Sequence, residues 1–183
     1  NIGTSIQSLW QEEGLMELWD IYDENRSATG RTHIRGVPLM EGEYHLISDV
    51  WTVNENHEVL LTRRHPDKPY GLMWECTGGS VLAGETSLEG ALRELFEETG
   101  IRAEGKQLFL IHSIRQKERF VDTYITRQNI TLKDIILQPE EVVEACFVSF
   151  ERLKEMWNQG IVVPRTRFLL YKDKIWEFLR QSS

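Results

Sequence analysis

Apolar and polar positions along the chain sort into short alternating runs and a few stretches with helical spacing. Residues 17–23 read as a short strand ending at the Asp23-Glu24-Asn25 turn. Residues 45–53 and 59–64 are strands joined across Asn54-Glu55-Asn56-His57. Residues 74–77 form a short strand running into Gly78-Gly79, and residues 106–115 and 120–128 alternate as an antiparallel pair. Residues 142–150 are a last strand, preceded by a mixed segment and an acidic turn at Pro139. Residues 27–36 are turn-rich and basic, and residues 65–71 are a loop. Helical spacing marks residues 86–99, 151–158 and 165–180, the last carrying Phe168, Leu169, Lys172, Trp176 and Leu179. Strands interrupted by one helix and closed by helices, without internal repeats, predict a single α+β domain. Residues 1–15 do not share this order. They are expected to be an N-terminal extension, partly added ahead of a natural start at Met16, with residues 6–18 able to form a short helix; the domain is 16–183.

The first helix carries the chemistry. Thr86 and Glu89 have capping-box spacing, and Gly100 stands where a left-handed residue ends a helix. Leu88, Ala91, Leu92 and Leu95 recur at i, i+3, i+4 and i+7, which is one buried stripe. On the opposite side Glu94, Glu97 and Glu98 crowd together near the C-terminus, the wrong end of the helix dipole for anions. Like charges at this spacing repel by roughly 0.2–0.5 kcal/mol per pair. Such a patch is either a solvated acidic face or a place for a cation. Hard oxygen donors without His or Cys suit magnesium or manganese.

Composition narrows the partners. With 183 residues, 40% hydrophobic and 27% charged, the profile is that of an ordinary globular chain. A net charge of −8 argues against a nucleic-acid polymer, so a phosphate substrate would need a metal and arginines to receive it. Two cysteines, Cys76 and Cys146, make no disulfide framework and point to a reduced, cytoplasmic setting. No apolar run has the length of a membrane span and no signal peptide is visible.

From Gly79 to Ile101 the spacing is Gly79, five residues, Glu85, seven residues, Arg93-Glu94-Leu95, one residue, Glu97-Glu98, one residue, Gly100-Ile101. All nine fixed places of the Nudix box are filled, and the chain resembles the Nudix hydrolases. Upstream, the segment from Glu17 to Asp23, Thr29-Gly30-Arg31, His45 and Leu60-Leu61-Thr62-Arg63-Arg64 are similar to the subgroup related to isopentenyl-diphosphate isomerase. The similarity runs over residues 16–150. It implies an α/β/α sandwich with a mixed sheet. It also implies metal-dependent hydrolysis of a diphosphate bond, in a nucleoside diphosphate linked to another moiety or a similar organic pyrophosphate. The implied ligands of Mg2+ or Mn2+ are Glu94, Glu97, Glu98 and the carbonyl of Gly79, with Arg93 and Glu85 holding the loop to the helix.

The base is a box glutamate in some relatives and a later-loop glutamate in others. Glu140, Glu141 and Glu144 stand in such a loop, and Glu141 is the candidate taken here. Arg63 and Arg64 are candidates to meet the diphosphate. Arg115, Lys117 and Arg119 read as a solvated turn, and His33, His45 and His112 as structural histidines. Trp51, Trp74 and Trp176 read as core or rim, with Trp74 near enough to the box to line a cleft.

Two other functions compete. Isopentenyl-diphosphate isomerases carry a Cys and a His-Pro where this chain has Thr77-Gly78-Gly79-Ser80, and Cys76 is out of register. A catalytically silent ligand-binding module would be expected to have lost box glutamates, all of which are present. The box leaves the end groups open: nucleoside di- and triphosphates, nucleotide sugars, dinucleotide cofactors and prenyl diphosphates, on a monomer or a homodimer. Residues 65–73, 115–119 and the C-terminal helices are expected to read them.

Overall fold

A computed structural model describes residues 17–181. Strand β1 (Leu18–Tyr22) pairs antiparallel with β2 (Ala28–Ile34) in a small two-stranded sheet. The main sheet is built on β3 (His45–Val53), which runs parallel to β8 (Arg119–Arg127) from His45↔Arg119 to Val53↔Arg127. Strand β7 (Leu108–Gln116) adds antiparallel to the outer edge of β8. The first half of β3 pairs antiparallel with β6 (Thr77–Ser80), and its far end turns through a hairpin into β4 (Val59–Arg64). Strand β4 in turn holds β5 (Trp74–Glu75) on one side and β9 (Val142–Val148) on the other.

Neighbouring residues of the central strands point to opposite faces, as the period-2 geometry of a strand requires. Val50, Leu60 and Tyr124 pack against Ala91 and Leu95 of α1 (Ser87–Thr99). Trp51, Leu61 and Ile125, one residue further on, pack against α2 (Phe150–Asn158) and α3 (Phe168–Arg180) through Leu153, Met156, Phe168, Tyr171 and Ile175. Each such large side chain contributes roughly 1.5–3 kcal/mol on burial. A mixed sheet covered on both faces by helices is the α/β/α sandwich expected from the sequence. No helix among the described residues is long and apolar enough to cross a membrane.

Several boundaries differ from the sequence reading. Residues 27–36 contain β2 rather than a turn-rich stretch; its side chains are nearly all exposed, so no hydrophobic period marks it. Residues 74–77 are not one strand: β5 bonds to β4 and β6 to β3, with Cys76 between them. The last strand stops at Val148 because Ser149 caps α2, accepting from the Arg152 N–H at 3.2 Å. The third helix starts at Phe168, since residues 164–166 form a 3-10 turn and Arg167 is left-handed (φ 52°). The extension of residues 1–15, the start at Met16 and most of the short helix of 6–18 lie outside the described residues, while Leu18 opens β1.

Candidate active site

The ends of α1 are set locally, as the spacing predicts. The Thr86 hydroxyl accepts from the Glu89 N–H (3.2 Å) while the Glu89 carboxylate accepts from the Thr86 N–H (2.7 Å). Gly100 adopts φ 74° and donates its N–H to the Phe96 carbonyl. Arg93 then ties the helix to the glycine loop. Its Nε and Nη2 grip both oxygens of Glu85 (2.7 and 3.0 Å), Nη1 reaches Glu94 (2.9 Å) and Glu97 (3.0 Å), and Nη2 also donates to the Ser80 carbonyl (2.9 Å).

The three carboxylates are not one solvated face. Glu97 is exposed, but Glu98 is buried at 6% relative exposure, and Glu94 faces the glycines of β6. A Cβ on Gly79 would fall inside the Glu94 carboxylate, and one on Gly78 would collide with Asp49 and the Ser48 carbonyl. Only bare backbone fits between these acids, which brings the Gly79 main chain against Glu94. Burial pushes the Glu98 carboxyl well above its usual range, and nearby Glu94 and Glu75 push it further. Burial raises Glu94 as well, against the opposing pull of Arg93. Oε2 of Glu98 is buried without a hydrogen-bond partner among the described residues. A desolvated acid with an orphan oxygen beside a second acid is costly unless a proton or a cation joins it. Among the described residues no three acidic, His or Cys side chains close on one point, and both Glu94 and Glu97 are bonded to Arg93. The donor set of Glu94, Glu98 and the adjoining glycine backbone nevertheless fits a hard divalent cation in chemistry and in its unpartnered oxygen.

The carboxylates form one wall of a cleft. Its floor is the face of β3 and β8 that carries Ile47, Asp49, Arg119 and Val121. A second wall holds Arg165 and Arg167, from the segment between α2 and α3. Buried Glu75 sits between two guanidinium groups, Arg64 Nη1 at 2.5 Å and Arg165 Nη2 at 2.9 Å. Asp49 faces Arg167 Nη1 at 3.6 Å; burial raises its carboxyl to about 6, although Arg167 and Arg165 pull the other way.

Of the candidate residues, Gly79, Glu94, Glu97, Glu98, Arg64 and Glu141 all line this cleft. Glu141 is ion-paired to Lys68, and Arg64 also donates to the Pro69 carbonyl at 2.7 Å. Arg63, one residue along the strand, points the other way, to Glu144 (3.0 Å) and over the Trp74 ring. Glu144 therefore belongs to that outer pair, and neither Arg63 nor Trp74 lines the cleft. His45 stacks on Trp19 with ring centroids 3.9 Å apart, as a structural histidine would. The sequence reading missed Arg165 and Arg167, placed inside a helix, and Arg119, read as solvated turn. Pro164 marks the start of the 3-10 turn, and no residue type in the sequence marks the break at Arg167.

Known proteins resemble this chain in sequence and in fold. The NUDIX domain family model matches residues 43–166. An uncharacterized Nudix hydrolase of Listeria monocytogenes is 39% identical over 151 residues, covering 81% of this chain and 89% of its own. Among solved structures, a Deinococcus radiodurans protein superposes with a TM-score of 0.66 at 20% identity, over 80% of this chain and 92% of that one. A bifunctional NMN adenylyltransferase/ADP ribose pyrophosphatase of Francisella tularensis, complexed with AMP and a manganese ion, gives 0.57 at 17% identity, over 76% of this chain and 43% of that one. With the intact box on α1 folded as that sandwich demands, the chain belongs to the Nudix hydrolase family.

Proposed function

We propose that the protein hydrolyses a diphosphate bond in a nucleoside diphosphate linked to another moiety, or in a similar organic pyrophosphate, with Mg2+ or Mn2+. The observation that carries this reading is the buried Glu98 carboxylate with its orphan oxygen, set beside Glu94 and the bare backbone of Gly79. Glu94, Glu97, Glu98 and the Gly79 carbonyl would hold the metal. When bound, it supplies positive charge to the phosphoryl oxygens and lowers the pKa of a coordinated water. Arg93 keeps Glu94 and Glu97 in position and clamps the loop through Glu85. Glu141, held at the cleft wall by Lys68, is the proposed base that orients and deprotonates the attacking water. Arg64 presents its guanidinium to the substrate from β4, whereas Arg63, which points away, supports that role less.

A pyrophosphatase of ADP ribose shares this fold, which supports a nucleotide-linked substrate. Kinship to the isopentenyl-diphosphate isomerase-like subgroup rests on the segments around residues 17–31 and 60–64. Isomerase chemistry finds little support: Cys76 is 4% exposed in the core, and burial drives its thiol well above the normal range. The reading places a monomer or homodimer in the cytoplasm, acting on small molecules rather than nucleic-acid polymers, in keeping with a net charge of −8.

The test is a panel of nucleotide-linked and prenyl diphosphates with magnesium, manganese or excess chelator, using wild type, Glu97→Gln and Glu98→Gln. Metal-dependent release of a monophosphate is expected, falling at least about 100-fold in the Glu98 variant. Turnover that survives chelator, or a fully active Glu98→Gln, would sink the assignment of the metal to this helix. Tight ligand binding without turnover would favour the silent module.

A further inference from the structure

The two walls of the cleft carry opposite charge. Glu94, Glu97 and Glu98 line it from α1, and Arg64, Arg165 and Arg167 line it from β4 and the segment between α2 and α3. There three guanidinium groups meet only two carboxylates, Glu75 and Asp49. Their donors are also far from saturated. Among the described residues Arg165 makes one hydrogen bond, from Nη2 to Glu75, and its side chain is 45% exposed. Arg167 donates Nη2 to the Gln116 side chain, its Nη1 lies 3.6 Å from Asp49, and its buried Nε has no partner. A guanidinium offers five N–H donors in a planar fork suited to phosphate oxygens.

The backbone holds Arg167 in this place at a cost. It is left-handed at φ 52°, a conformation that non-glycine residues adopt sparingly. The 3-10 turn of residues 164–166 sets it there, with the Arg167 N–H bonded to the Pro164 carbonyl. The separation of the two walls is small. A Cβ on Gly78 would meet Asp49, the carboxylate facing Arg167, and a Cβ on Gly79 would meet Glu94. Successive residues of one strand thus adjoin the guanidinium end and the metal end.

We propose that Arg165 and Arg167 form a phosphoryl-binding subsite, which receives the phosphate of the diphosphate that lies away from the metal-binding carboxylates. This rests on the hydrolase reading above and extends it. The substrate is held at both ends of its diphosphate by groups of different kind, cation on one side and guanidinium on the other. The subsite comes from the segment that leads into α3, and Arg167 lies beyond the residues matched by the family as a whole.

The experiment is calorimetric titration of inorganic pyrophosphate into the full chain in excess chelator, for wild type, Arg165→Gln, Arg167→Gln and Arg167→Lys. Wild type should bind, and each Gln variant should bind about 10- to 100-fold more weakly, the loss expected for a charge-assisted bond to an anion. Arg167→Lys, which keeps the charge but not the fork, should fall between. Thermal unfolding of each variant verifies that it is folded, and the half-exposed Arg165 provides the result if Arg167→Gln does not fold. Absence of pyrophosphate binding to wild type in chelator, or equal affinity in the Gln variants, overturns the subsite. The hydrolase reading is tested separately, because magnesium titration and turnover of wild type do not depend on these variants. Turnover with unchanged KM in both Gln variants would sink the subsite and leave the hydrolase standing. Pyrophosphate binding without turnover of any diphosphate would do the reverse.

Discussion

Arg93 backs the carboxylates of the cleft and Arg167 lines the cleft itself, and the two guanidinium groups are used differently. Arg93 is saturated by Glu85, Glu94, Glu97 and the Ser80 carbonyl. Arg167 keeps one firm bond, to Gln116, and an unpartnered Nε. A saturated guanidinium holds other groups in place and has nothing left to offer a ligand. An unsaturated one lining a cleft keeps N–H donors that an incoming anion can use.

The comparison fails first if Arg93 is not structural. Arg93→Gln leaves Glu85 and Glu94 partly buried without a counter-charge, and should cost about 4 kcal/mol in urea unfolding. A loss under about 1 kcal/mol would show that the network is ornamental. An intermediate effect separates orphan groups in a core from those in a cleft. His45 is buried, its Nδ1 has no partner, and burial, followed by the charge of Arg119, lowers its pKa to about 4. The unfolded chain takes up this proton near pH 6.5 and the folded chain does so only near 4. The associated stability is therefore complete above 6.5 and is lost as pH falls through 4, approaching about 3 kcal/mol. Urea unfolding of wild type and His45→Phe across this window should show the two curves diverging as pH falls, by up to about 3 kcal/mol, with other titrating groups common to both; parallel curves would contradict it. The smallest effect is expected on the arginine wall. Arg165→Gln, at a half-exposed side chain, should change stability by less than about 1 kcal/mol, measured in the same unfolding series. A loss as large as that of Arg93→Gln would make the two walls equivalent and remove the contrast.

The acidic wall was legible in the sequence because it is local. Thr86, Glu89, Arg93, Glu94 and Gly100 act within one helix and its caps, so spacing alone relates them. The central strands were legible for a similar reason: both faces are buried, and their apolar residues mark them. Strand β2 was not, because solvent covers it and its sequence Ala-Thr-Gly-Arg-Thr-His-Ile carries no period. The burial of Glu98 was hidden as well, since it depends on where β6 lies across α1 rather than on the helix itself. The arginine wall is long-range throughout. Arg165 meets Glu75 across ninety positions and Arg167 meets Gln116 across fifty-one. Arg119 reaches the floor only because β8 runs parallel to β3 from His45 onward. No spacing rule within a window finds such partners.

One further consequence concerns the far end of α3. The His57 ring bonds the Leu179 carbonyl at 2.5 Å, and Arg127 donates to the carbonyls of Phe178 (2.6 Å) and Gln181 (3.2 Å). The helix whose first residue follows Arg167 is thus anchored at its last turn to the hairpin after β3 and to the end of β8. For the proposed subsite, this anchoring means that the backbone carrying Arg167 is ordered during folding, and a phosphate would not have to order it on arrival.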